Sequence, residues 1–196
     1  MRRQSPRLPA FAGGWHPAHV PPAVRLVLPI RAEGPAFERR VDALCAAWNG
    51  LPQATAYLDA TAPFLENVSL LENLWVPLAW RGPITLQQIV QRALPQLPLL
   101  GWTAQDLQRL LSCRPGELSP GVTARAVLLR AVLMEPAWLL IEPGWFERPL
   151  LPPDQLVPLV QALLGQTRWL LLWPHSRCDA LPPGVAWHTI QLEADV

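Results

Sequence analysis

Four short apolar runs constrain this chain more than any other feature: AVRLVLP (23–29), ATAYLDA (54–60), AWLLIE (137–142) and RWLLLWP (168–174). They show little of the in–out alternation of a half-exposed strand, so they read as strands buried on both faces. Helical patterns separate them. FERRVDALCAAW (37–48) places Phe37, Val41, Leu44, Cys45 and Trp48 at helical spacing with Arg39 and Arg40 outward. NVSLLENLWVPL (67–78) offers Ser69 as an N-cap with Glu72 three residues on, a capping box. ITLQQIVQRALPQL (84–97) predicts a helix over about 85–94, stopped by Pro95. TAQDLQRLLSC (103–113) predicts another, capped by Thr103 with Asp106, and PDQLVPLVQALLG (153–165) a third. Strands alternating with helices predict an α/β fold with a mostly parallel sheet and a helical subdomain inserted over roughly 69–115. Residues 1–22, with Pro6, Pro9, Pro17, Pro21 and Pro22, read as an irregular segment, and 23–196 as a single domain with prolines mainly at element boundaries.

The sequence has 196 residues, enough for one domain with a real core. Hydrophobic residues make up 51% against 16% charged, which implies large apolar faces, some of them suited to a partner. A net charge of +1 gives no case for a nucleic-acid partner or an anionic membrane. All 16 basic residues are arginine, so any chemistry that requires a lysine ammonium is beyond this chain alone. Cys45, Cys113 and Cys178 lack CxxC spacing and read as reduced, packed thiols of a cytoplasmic protein. The spacing of His16, His19, His175 and Cys178 supports no metal site. The N-terminus is too poor in apolar residues for a signal peptide, and no apolar run reaches the ~18 residues of a membrane span.

The stretch GELSPGVTARAVLLRAVLMEPAWLLIEPGWFERP (116–149) carries a resemblance. It resembles the nucleotide-binding domain of ABC transporters, in which a signature LSGGQ opens a helix leading to a Walker B strand that ends in Asp-Glu-Pro. Leu118-Ser119-Pro120-Gly121-Val122 stands at the signature, Arg125 and LLRA at the family's Arg and ALARA, and the run to Glu135-Pro136 has no gap. VSLLENLWVPL is similar to the entry into the family's helical subdomain, and LLLWPHS to the strand before its switch histidine, which places His175 there. ENLWVPL, LSPGVTARAVLLRA and EPGWFERP are closest to the MCE/Mla-type ATPases that drive lipid transport. The resemblance covers about 23–190 and implies a P-loop NTPase-like core.

The positions that carry the family's chemistry are depleted. A P-loop needs G-x-x-x-x-G-K-[ST], whose amides cradle phosphate, whose lysine reaches it and whose hydroxyl holds Mg²⁺. Residues 29–36 fit the loop in length, but only Gly34 matches; Pro35 replaces the lysine, Ala36 the hydroxyl, and Glu33 repels phosphate. A second register, 34–41, puts Arg40 at the lysine and Val41 at the hydroxyl, with Arg39 replacing a glycine. Asp59-Ala60-Thr61 stands near the glutamine loop without a glutamine. LLIEP supplies one acid where the family has two. In one register Glu142 is the catalytic carboxylate and Ile141 the lost Mg²⁺ ligand; in the other Glu142 is the Asp and Pro143 replaces the Glu. One carboxylate cannot both hold the metal shell and polarise water.

Each survivor also has a plain structural reading: Ser119-Pro120 as an N-cap and first helical residue, Glu142 as a solvated or capping carboxylate, His175 as a packed loop histidine. The resemblance therefore implies a degenerate ABC ATPase-like subunit, a scaffold or regulator in an ABC-type transport assembly, including the lipid-handling kind. No catalytic group, cofactor or metal is expected. Glu142 and His175 are the residual catalytic candidates, Gly34 the remnant of the P-loop, and Ser119 and Gly121 the residual signature. The expected partners are a membrane permease or MCE-type component and an intact ABC ATPase paired head to tail, so that the chain sits in the cytoplasm, peripheral at the membrane. The alternative is a divergent but active subunit that binds ATP and Mg²⁺; a third reading is a free-standing adaptor.

Overall fold

The computed structural model describes residues 17–32, 34–49, 55–59, 64–147 and 151–191. In chain order the elements are β1 (Arg25–Ile30), α1 (Gly34–Asn49), β2 (Thr55–Leu58), α2 (Leu70–Ala79), α3 (Leu86–Ala93), α4 (Leu97–Leu100), α5 (Ala104–Ser112), α6 (Pro120–Leu133), β3 (Trp138–Ile141), α7 (Pro143–Glu147), α8 (Pro153–Leu164), β4 (Arg168–Pro174) and β5 (His188–Thr189). Most of the expected N-terminal segment, residues 1–16, lies outside the described residues; Pro17–His19 form a 3-10 turn. The described residues group into two compact units. One lies within Met1–Tyr57, Pro136–Glu147 and Gln166–Val196, the other within Leu58–Glu135 and Arg148–Gly165.

The first unit carries the sheet, whose strand order is β2-β3-β4-β1-β5. The β1–β4, β3–β4 and β1–β5 pairings are all parallel. Period-2 geometry sends alternate side chains to opposite faces. Leu26, Leu28, Ile30, Trp138, Leu140, Leu170 and Leu172 pack with Val41, Leu44 and Trp48 of α1. The intervening residues Val27, Leu139, Ile141, Trp169, Leu171 and Trp173 are buried as well, so the strands are covered on both faces. This explains their unbroken apolar sequence. Trp48 and Trp138 meet edge to face, with ring centroids 5.6 Å apart at 78°, a favoured geometry for the aromatic quadrupole. At the amino end of the strands Arg25 lies 3.9 Å over the Trp169 ring and donates to the Thr167 carbonyl at 2.7 Å. That contact uses the planar guanidinium both as a stacking surface and as a donor.

The second unit is helical. The helices of the expected insertion, α2 to α5, fall in it together with α6 and α8. Three starts carry complete capping boxes: Ser69 with Glu72, Thr85 with Gln88, and Thr103 with Asp106. Capping hydrogen bonds from Ser69 and Thr103 also hold the Glu72 and Asp106 carboxyls below their ordinary pKa. The expected stop at Pro95 is only partial. α3 ends at Ala93, but the chain continues through a 3-10 turn, Leu94–Gln96, into α4. Pro95 lies at the start of that turn, where a missing N–H breaks no bond. Gly101, with φ +67°, then ends α4 in the left-handed region that favours glycine. Two prolines depart from the boundary expectation: Pro77 lies inside α2 and Pro158 inside α8.

Candidate functional site

The carboxyl ends of parallel strands are where α/β sheets place ligands, and three of the candidate positions lie there. β1 ends at Ile30 and α1 begins at Gly34; β3 ends one residue before Glu142; β4 ends at Pro174, one residue before His175. β3 and β1 both flank β4, so these ends are neighbours along one edge. Ser119 and Gly121 open α6 in the other unit.

The β1–α1 connection differs from its expected length. Pro29 and Ile30 extend the strand, in register with Trp173 and Pro174 of β4, while Gly34-Pro35-Ala36 form the first turn of α1. Only residues 31–33 join them, of which Glu33 lies outside the described residues. The Ala32 N–H is turned back onto the Ile30 carbonyl at 2.9 Å. Pro35 has no N–H. Gly34 has φ +51°, a conformation that favours glycine, so glycine serves the backbone turn here. A phosphate cradle requires several amides aimed inward from a longer loop. These residues do not fit one in either register of the sequence.

Glu142 is part-buried and engaged: the Tyr57 hydroxyl donates to its Oε1. Burial first, then Cys45 and the bond to Glu142, push the Tyr57 hydroxyl far above its ordinary pKa, so it remains a donor. The Glu142 carbonyl also accepts from Trp145 N–H at 3.2 Å as α7 begins. The Tyr57–Glu142 bond links the residue that follows β3 to β2. Neither the Tyr57 bond nor the cysteine beside it is visible in the spacing of motifs. The available signal is that the only tyrosine of the sequence stands in an otherwise aliphatic strand.

Glu142→Gln should therefore change stability by less than about 1 kcal/mol, because an amide oxygen still accepts from the phenol. Glu142→Leu should cost about 1–2 kcal/mol, the loss of a charged acceptor from a part-buried hydroxyl that still has Cys45 beside it. Urea titration of both variants is the check; equal losses would refute the acceptor role.

His175 is exposed and begins a 3-10 turn, His175–Ala180, which Trp173 secures by donating Nε1–H to the Arg177 carbonyl at 2.8 Å. Asp59 follows β2, whereas Ala60 and Thr61 of the glutamine-loop candidate and the Arg148-Pro149 end of EPGWFERP lie outside the described residues. Among the described residues no three His, Cys, Asp or Glu side chains converge as a metal site; His16 lies outside them. At the signature position Ser119 occupies the N-cap, but its hydroxyl makes no capping bond and the residue is exposed. Its carbonyl accepts instead from Val122 and Thr123 N–H, each at 2.9 Å, and from the Thr123 hydroxyl at 3.1 Å. The Gly121 carbonyl accepts from Arg125 Nη1 at 3.3 Å.

A parallel sheet of order β2-β3-β4-β1-β5 with helices defines a mixed α/β protein of the P-loop NTPase-like, ABC ATPase fold. Among solved structures the chain is similar to an ATP-binding subunit of an ABC transporter, with a TM-score of 0.59 and 15% identity over 89% of this chain and 78% of that one. It is also similar to a dimeric ATP-binding cassette in a post-hydrolysis state bound to ADP and Pi, with a TM-score of 0.50 and 18% identity over 72% of this chain and 61% of that one. No protein-family profile and no curated protein sequence matches the chain. No helix among the described residues is long and apolar enough to cross a membrane.

Proposed function

We propose that this chain is a catalytically degenerate ABC ATPase-like subunit that serves as a scaffold or regulator in an ABC-type transport assembly. The observation that carries the reading is the β1–α1 connection: residues 31–33 alone, with the Ala32 amide engaged by Ile30 and a proline in the first turn of the helix. The absence of lysine from the sequence and the tie between Glu142 and Tyr57 support it, because charge neutralisation and water activation each need a group that is missing or occupied. The partners consistent with the fold are a membrane permease and an intact ABC ATPase. Ser119, exposed at the start of α6 and not engaged in capping it, suits a role presented to such an ATPase. The MCE-type, lipid-handling assignment rests on ENLWVPL, LSPGVTARAVLLRA and EPGWFERP. In this reading the chain sits in the cytoplasm and reaches the membrane through the permease.

The test is thermal denaturation of the purified chain with Mg-ATP. A true site at a ligand concentration 100 times its dissociation constant adds about 2.7 kcal/mol, a shift of several degrees for a chain of this size. No shift is expected. A clear upward shift abolished by substitutions at 31–36 would instead establish the divergent, active ATP-binding subunit.

A further inference from the structure

We draw no further inference here: the strongest candidate, the open apolar groove of about 730 Å³ that Leu71, Val90, Leu94, Leu107 and Leu111 line between α2, α3 and α5, is an unpartnered face, and nothing in the structure shows what covers it.

Discussion

Trp138→Ala is expected to lower the unfolding free energy by about 4 kcal/mol. Trp138 is fully buried in β3 and packs with its edge toward Trp48 of α1. Truncation removes a large apolar surface and leaves a cavity between sheet and helix that neighbouring β-strand backbone cannot collapse to fill. It also removes a face over which Arg168 lies, with its guanidinium carbon 5.8 Å from the ring centroid. Set against a typical total of 5–15 kcal/mol, such a loss brings the domain close to unfolding at growth temperature. Far-UV circular dichroism across a urea gradient measures it, since tryptophan emission would itself change with the mutation. Trp138→Phe should recover more than half of the loss. A cost under about 1 kcal/mol for alanine would mean that the sheet–helix interface is far looser than described.

Asn73→Ala should cost about 2 kcal/mol, for a different reason. Asn73 is buried in α2 and closes the segment before that helix. Its Oδ1 accepts from Leu65 N–H at 2.7 Å, and its Nδ2–H donates to the Leu65 and Ser69 carbonyls, both at 3.0 Å. Alanine leaves the Leu65 N–H without its acceptor, at about 1–3 kcal/mol, while the Ser69 carbonyl keeps the residue-73 backbone N–H and the Leu65 carbonyl keeps Val68 N–H. Asn73→Asp keeps an acceptor but loses the donors and buries a charge, so it should fare no better. Hydrogen exchange provides the specific readout: the Leu65 amide should lose protection in Asn73→Ala before amides of the sheet do. Unchanged protection at Leu65 would show that water or another group takes over the role.

The elements that formed as their local sequence dictates are those whose signals act within a few residues. The boxes at Ser69, Thr85 and Thr103 are three-residue contacts, so their residues suffice to predict them. The doubly buried strands were legible because a parallel sheet leaves no wet face, and an apolar run such as RWLLLWP has no other place to go. Less legible were the features set by distant residues. Tyr57 and Glu142 are far apart in sequence, and nothing in ATAYLDA indicates that its phenol meets the acid after β3. Asn73 gave no sign either, since ENLWVPL reads equally well with its amide exposed. The connection between β1 and α1 was misjudged in length because Pro29 and Pro35 both look like breakers. A strand position with a neighbour on one side only, as Pro29 has beyond the reach of β5, and the first turn of a helix both tolerate proline, and each absorbed one.

That short connection also limits what can be built at this end of the sheet. Three residues span at most roughly 10 Å when fully extended. Substitution can change the chemistry of such a junction but not its reach. A longer loop would need an insertion, and an insertion would shift the start of α1 against the buried face of the sheet on which Val41, Leu44 and Trp48 pack.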